Sequence, residues 1–263
     1  MKFPSEANEA LLPFFLDRND ALIRWGSVVS SFQALPGLRG FWPMSAIGAS
    51  GEAIDLSGLG NHLTNTNSAD YGSDTLAPIA RYNGSSQYHT ITDAGSSNAF
   101  DIRGDEGYVI TADRGLTVGA WVKFDGAAGG SEETVIGKYT SGDPAYLIQR
   151  VNTSGVMQFL VDSGGSDTIN SDTAVTTAWT FVVGRYIPST SIDIFLDGVS
   201  DGQNTTSIPA TIDNSAIAFR IGATGAPGDY LDGDISCAFV CASALSDDLI
   251  LALNEQSRVI FGV

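Results

Sequence analysis

Leu116-Thr-Val-Gly-Ala-Trp-Val-Lys-Phe124 alternates along its whole length. A period of two places Val118, Ala120, Val122 and Phe124 on one face and Trp121 on the other, the pattern of a β-strand. Working outward, further short strands are predicted at Thr134 to Tyr139, Ala145 to Val151, Val156 to Val161, Trp179 to Ile187, Ser191 to Leu196, Ala216 to Ile221 and Tyr230 to Val240. Asn152-Thr-Ser-Gly155 reads as a hairpin turn, and Asp197-Gly198 as a tight turn after the strand that ends at Leu196. Such spacing, with almost no helix between strands, predicts an all-β fold of two packed antiparallel sheets. There is no internal repeat, and Ser68 to Ala77 reads as a mobile loop.

The first 37 residues have a different texture. Ala21, Leu22, Trp25, Val28, Val29 and Phe32 fall at i, i+1, i+4, i+7, i+8 and i+11, one apolar face of an amphipathic helix. Asn19 or Asp20 is available as its N-cap, and Leu35-Pro36-Gly37 stops it. A shorter helix is expected from Ser5 to about Leu12, set apart by Pro13. Two roles stay open for the longer helix: packing on its own sheet, or docking to a partner or to copies of itself through Leu22, Trp25, Val29 and Phe32. The chain therefore divides into a helical attachment segment, 1–37, and a sandwich, 38–263. Near the end, Ser246 caps a second helix that opens with Asp247 and Asp248, acids suited to a first turn.

At 263 residues and 43% hydrophobic content the chain can bury a sizeable core. Its 30 glycines and only 13 Lys plus Arg suit a turn-rich β protein. The net charge of −17 argues against nucleic acid as a partner, because phosphate contacts need clustered Lys and Arg. No apolar run approaches the roughly 20 residues of a membrane span. The cluster Leu11-Leu12-Pro13-Phe14-Phe15-Leu16 is short and broken by Pro13, so no secretory signal is expected. Cys237 and Cys241, four residues apart on a strand, lie about 13 Å from each other at ~3.3 Å per residue. That is too far for a disulfide, so two free, buried thiols are expected, as in a chain folded in a reducing compartment.

Six phrases, in order, resemble the laminin-G-like / concanavalin A-like lectin and glucanase superfamily. They are Gly40-Phe-Trp-Pro-Met44, Asp55-Leu-Ser-Gly-Leu-Gly-Asn-His62, Ala80-Arg-Tyr-Asn-Gly-Ser-Ser-Gln-Tyr88, Leu116 to Lys123, Trp179 through Phe195-Leu-Asp-Gly198, and Ile221-Gly with Tyr230-Leu-Asp-Gly-Asp-Ile, ending at Ala244-Leu-Ser-Asp-Asp-Leu-Ile250. The resemblance spans roughly residues 38–257 and implies a jelly roll of two curved antiparallel sheets; the helical segment read from periodicity precedes it. It does not carry a function with it, because one fold hosts many.

Glucanases of that superfamily carry a Glu-x-Asp-x-Glu strand, since glycoside hydrolysis needs two carboxylates at fixed separation. No such triplet occurs, and Glu132-Glu133 read as a solvated turn. The match Gly198-Val-Ser-Asp-Gly202 lacks the strand-to-helix context of a hydrolase elbow. His62 and His89 read as structural hydrogen-bonding residues. No catalytic residue is assigned.

The resemblance also implies a structural Ca²⁺ on oxygen ligands, with Asp55 and Asn61 contributing. The family's acidic pair in this region is replaced by Ser236-Cys237, leaving Asp232 and Asp234 as substitutes; the alternative is that all four are turn and surface residues. For sugar recognition the aromatic candidates are Tyr71, Tyr139, Tyr146 and Tyr230. The combined expectation is a non-enzymatic structural or adhesion protein, a bacteriophage decoration protein or fibre that folds in host cytoplasm and is displayed on the virion. Its partners are other virion proteins or itself through residues 1–35, with glycans as ligands; a secreted or cell-surface carbohydrate-binding module is the alternative, and an enzyme accessory domain the third reading.

Overall fold

The structure, a computed structural model, describes residues 18–102, 115–225 and 228–263, with the side chains of the first helix described from Leu22 onward. The described residues begin with α1 (Arg18–Gln33), then β1 (Leu38–Trp42), β2 (Thr64–Thr66), β3 (Asp70–Asp74), β4 (Ala77–Asn83) and β5 (Tyr88–Ile91). A 3₁₀ turn at Ala94–Ser96 leads to β6 (Leu116–Phe124), β7 (Glu133–Lys138), β8 (Tyr146–Arg150), β9 (Val156–Asp162) and β10 (Ser166–Ala174). The remainder is β11 (Thr180–Ile187), β12 (Ser191–Leu196), β13 (Val199–Asn204), β14 (Phe219–Ile221), β15 (Asp232–Cys241) and α2 (Asp247–Phe261).

Two antiparallel sheets result. One runs β13-β12-β11-β6-β15-β4-β3, with β1 also on β15; the other runs β10-β9-β8-β7-β14-β5-β2. The expected sandwich is present, and Leu116–Phe124 lies near the centre of its larger sheet between β11 and β15. Val118, Ala120, Val122 and Phe124 point into the core between the sheets, among Tyr146, Ile148, Phe159 and Ile235. Trp121 points the other way, into a second core beneath the helices. There its ring stacks on Phe261 at 4.3 Å between centroids and its Nε1–H donates to Ser257 Oγ at 2.8 Å. The molecule is thus three layers deep: helices, large sheet, small sheet.

The cap at Ser246 is as expected: its hydroxyl accepts from the Leu249 N–H, and Gly262 at φ 75° closes α2. Asp197 and Gly198, at φ 50° and 83°, turn β12 into β13 with both central residues left-handed. Because β13 follows that turn, the Gly198–Gly202 match sits in a hairpin and forms no elbow before a helix. Both cysteines are buried and free. Cys237 has φ 47°, and the pairing Ser236↔Trp121 followed by Phe239↔Gly119 shows one extra residue on β15, a β-bulge. Asp234 and Ser236 face away from Ile235 by ordinary alternation; the bulge turns Cys237 away from the inter-sheet core as well and sends Ala238 into it.

Several expectations are corrected. Asp70–Asp74 is an edge strand on β4, so Ser68 to Ala77 is not a loop throughout; its polar alternation hid it. Arg18 is already helical, so Asn19 and Asp20 lie inside α1 and do not cap it. The helix expected from Ser5 to Leu12 lies outside the described residues. Phe32, offered as a docking residue, is fully buried against its own domain, stacked on Phe41 at 4.9 Å and edge-on to Phe239 at 5.3 Å. Val28 and Leu35 join it, and Trp25 and Val29 pack partly against the same core. Of the large apolar side chains described in α1, Leu22 and its neighbour Ile23 stand out into solvent, 68% and 69% exposed.

Phe32→Ala should therefore lower unfolding free energy by ~3–5 kcal/mol, as for a core aromatic, and Leu22→Ala should change it by less than ~0.5 kcal/mol. Urea denaturation of the two variants measures the contrast, and equal small effects would show that α1 is not part of the fold.

Candidate functional site

Where β15 begins, a groove of about 420 Å³ opens between the β4–β5 turn, the β6–β7 loop and the segment entering β15. Backbone pairing holds these three pieces together. The Gly84 N–H donates to the Leu231 carbonyl at 2.8 Å, and the Asp125 N–H to the Asp232 carbonyl at 3.0 Å. Asn83 shapes the turn, its Oδ1 accepting from the N–H groups of Ser85 and Ser86 at 3.1 and 3.0 Å. Gly84 is required at φ 67°, where a Cβ would also come within 2.9 Å of the Asp232 Cβ.

The floor of the groove is an ion pair. Arg150 Nε donates to Glu133 Oε2 at 2.7 Å, its Nη2 donates to the same oxygen, and its Nη1 reaches the Gly126 carbonyl at 2.9 Å. The guanidinium lies over the Phe124 ring, 4.0 Å from the centroid. Glu133 uses its other oxygen to accept the Asp232 N–H at 3.2 Å. Glu133 is thus a half-buried structural acid, 12% exposed, correcting its reading as part of a solvated turn.

Above this floor the chemistry is unspent. Glu132, Asp229 and Asp232 line the groove, and among the described residues their carboxylates accept no hydrogen bond. Asp229 has φ 45°, which turns the chain so that its carbonyl accepts from the Thr134 N–H at 2.8 Å. Burial raises the Asp229 carboxyl above its ordinary pKa, and the negative charge of Glu132 adds to this. Tyr230 forms an apolar wall, its ring 6.3 Å from that of Tyr88. Gly126 and Gly129 line the opposite side with nothing within 4 Å of where a Cβ would stand, so neither packing nor a positive φ demands glycine at either position. The groove offers an aromatic face, three acceptor-only groups and a bare stretch of backbone.

Tyr230 and Asp232, singled out in sequence for different reasons, meet here. The other candidates do not. Tyr146 is wholly inside the core, its hydroxyl donating to the Phe100 carbonyl at 3.2 Å, so it cannot stack on a ligand. Tyr139 is half-buried away from the groove. Tyr71 is half-buried and committed to a relay: its hydroxyl donates to the Gly51 carbonyl at 3.0 Å and meets His89 Nε2 at 2.6 Å. His89 Nδ1 meets the Tyr82 hydroxyl at 2.8 Å. With the Tyr71 proton on Gly51, Nε2 must carry the imidazole proton and Nδ1 must accept from Tyr82. Burial holds the His89 pKa down at about 4. Its structural role was expected, as was that of His62, whose Nδ1 accepts the Asp55 N–H at 3.0 Å.

The four residues suggested for calcium do not fit that ion. Asp55 Oδ1 accepts from the N–H groups of Phe41 and Ser57 at 2.9 and 2.8 Å, while Oδ2 accepts from Ser57 Oγ and the Asn61 N–H at 2.7 and 2.9 Å. Those four donors occupy the lone pairs a cation needs. Asn61 gives its amide N–H to the Arg39 carbonyl at 2.7 Å. Asp234 is buried in a two-pronged pair with Arg81 at 2.7 and 2.8 Å. Asp232 alone stands free, at the groove. Among the described residues no three His, Cys, Asp or Glu side chains gather around one point that a metal ion could occupy.

A family model for the concanavalin A-like lectin/glucanases superfamily (Laminin_G_3) matches residues 79–251. No curated protein matches the chain in sequence. Among solved structures, the binding domain of botulinum neurotoxin DC in complex with SialylT superposes with TM-score 0.61 at 11% identity, covering 85% of this chain and 52% of that one. A botulinum neurotoxin type C structure, whose title describes cell entry through two ganglioside molecules, gives 0.63 at 12% over 88% of this chain and 52% of the other. The binding domain of Paraclostridial Mosquitocidal Protein 1 gives 0.62 at 10%, with 85% and 52% covered. The chain spans about half the length of these structures, and at such identities the likeness is one of fold.

Two measurements check the groove floor and the enclosed histidine. Arg150→Ala removes a buried guanidinium and leaves the half-buried Glu133 without its partner, and should cost about 2–3 kcal/mol of stability. His89 should titrate by NMR with a midpoint near 4. Because the unfolded imidazole takes its proton near 6.5, stability should rise with pH between about 4 and 6.5, is fully present above that window, and is reduced by on the order of 3 kcal/mol at its lower end. A midpoint above 6 would mean that the histidine is not enclosed by its two tyrosines.

Proposed function

This chain belongs to the concanavalin A-like lectin/glucanases superfamily, and from that premise we propose that it is a non-catalytic glycan-recognition protein whose ligand lies in the groove at the head of β15. The observation that carries the reading is the convergence of Tyr230 with the unpartnered carboxylates of Glu132, Asp229 and Asp232. A pyranose presents an apolar C–H face and a rim of hydroxyl donors. The tyrosine ring takes the face, the carboxylates accept from the rim, and Gly126 and Gly129 let the sugar approach the backbone. An acidic groove excludes sialylated and sulfated sugars by charge, so neutral, hydroxyl-rich glycans are the ligand class.

The wider role we propose is display on a bacteriophage virion. What supports it is α1: the helix is seated by Val28 and Phe32 yet leaves Leu22 and Ile23 bare at the end nearest the start of the chain. An exposed apolar pair on a firmly held helix suits docking to a virion protein or to another copy. Because the second half of α1 belongs to the core, removing residues 1–35 would damage the domain itself; point changes at Leu22 and Ile23 probe attachment without that side effect.

Screening on an array of neutral glycans should yield hits that Tyr230→Ala weakens by about tenfold or more, roughly 1.4 kcal/mol. Asp229→Asn should flatten the loss of binding on acidification, which in the native protein begins above the ordinary carboxylate range because Asp229 holds its proton more tightly. A blank array, or hits indifferent to Tyr230, would sink the groove reading. For attachment, Leu22→Glu with Ile23→Glu should abolish particle incorporation or self-association in sedimentation while leaving the fold intact.

A further inference from the structure

Lys138 ends β7 with its side chain only 1% exposed, facing Asp93 and Asp101, which are 19% and 8% exposed. Its Nζ donates to Asp93 Oδ1 at 2.5 Å and also to Asp101 Oδ1. The local chain is built to bring both acids to one amine. The N–H groups of Ser96 and Asn98 donate to the Asp93 carbonyl at 3.2 and 3.1 Å, and the Asp101 N–H donates to the Asn98 carbonyl at 3.1 Å. Phe100, between them, stacks on Phe219 at 4.4 Å, and its carbonyl takes the Tyr146 hydroxyl. Tyr146 is the residue opposite Lys138 on β8.

One ammonium facing two carboxylates, with Lys138 itself buried, leaves a surplus negative charge that favours an extra proton on the acids. Burial raises Asp101 above its ordinary pKa against the pull of Lys138, and Asp93 adds to the rise. Amide formation starts from an ammonium on Lys138, a carboxyl on Asp101 and a carboxylate on Asp93, three groups that the fold brings within hydrogen-bond reach of one nitrogen. That is the arrangement needed for condensation: a carboxyl as electrophile, an amine at hydrogen-bond distance, and a base between them.

We propose that Lys138 Nζ and Asp101 Cγ become joined by an intramolecular isopeptide bond, with Asp93 as the proton relay. Asp93 takes a proton from the ammonium, freeing the nitrogen lone pair, which attacks Cγ and forms the C–N bond. Asp93 gives its proton to the departing hydroxyl and takes up the second proton released by the nitrogen. The C–O bond breaks and one water leaves. Ammonium, carboxyl and carboxylate become amide, water and a neutral Asp93 carboxyl, with atoms and charge balanced and no oxidant required. The product removes a buried ammonium and the charge of the half-buried carboxylate beside it, which is its driving force. Asp101 also lines a surface groove of about 470 Å³ with Asn61, Ser96 and Asn98, an exit for the water.

The test is the mass of the intact, denatured full-length chain, with trypsin mapping. The protein should be one water lighter than its sequence. Trypsin should fail to cut after Lys138, and the peptide bearing Asp101 should appear linked to the one bearing Lys138. Lys138→Arg should restore the full sequence mass, and Asp93→Ala should leave most of the chain unlinked. A native chain at its full mass with normal cleavage after Lys138 overturns the bond, leaving the trio a buried ion cluster. A lighter chain whose map shows an aspartyl succinimide instead overturns it as well. Full linkage in Asp93→Ala overturns the relay.

Discussion

The outer face of the large sheet cannot be left to water, and the rest of the molecule is arranged around covering it. β6 and β15 are buried on both faces, so Trp121, Phe181, Phe239 and both cysteines need an apolar cover in addition to the partner sheet. α2 and the second half of α1 supply it, with Phe261 and Phe32 stacked onto the aromatic surface. Burial of several aromatic side chains at ~2 kcal/mol or more each makes this the larger part of what holds the helices in place. It also explains why the chain's first described element is a structural layer and an attachment candidate at the same time: one side is committed inward, and only its tip is free.

The same sheet positions the groove. β15 runs from the rim, at Asp232, to the centre of the sheet, so whatever fixes β15 fixes the site. At Gly233, φ is 153° and a Cβ would come within 2.1 Å of the Lys123 carbonyl, so the strand can pass this close to β6 only with glycine there. Further on, the bulge at Cys237 shifts the alternation by one residue, so that Ala238 and Val240 are buried between the sheets. The groove loops are rich in glycine, yet rooted in an anchored strand and an Arg150–Glu133 floor. That division is how β-sandwiches commonly combine a rigid frame with variable surface chemistry.

Charge follows a related division. With 13 basic and 30 acidic residues, the chain spends cations where they hold structure: Arg81 on Asp234, Arg150 on Glu133, Arg185 on Asp193 and Asp247, Lys123 on Asp74, and Lys138 on Asp93 and Asp101. The surface is consequently left acidic, and the groove with it. An acidic rim suits ligands that donate hydrogen bonds and repels anionic ones.

Local pattern determined a good deal by itself. The alternation at Leu116–Phe124, the hairpin signals at Asn152–Gly155 and Asp197-Gly198, and the cap at Ser246 each act within a few residues, and each was legible because dihedral preference and period are local properties. The polar edge strands β3, β10 and β13 were not, since an edge strand exposed to water keeps no apolar alternation. Of the site, Tyr230 and Asp232 could be named, but not their meeting with Glu132 and Asp229 across two loops. Tyr146 and Phe32 looked like surface candidates in sequence and are core residues. Whether an aromatic side chain stacks on a ligand, on its own domain or on another copy depends on what lies opposite it, and the opposite residue, like Asp93 and Asp101 around Lys138, is brought there only by long-range strand pairing.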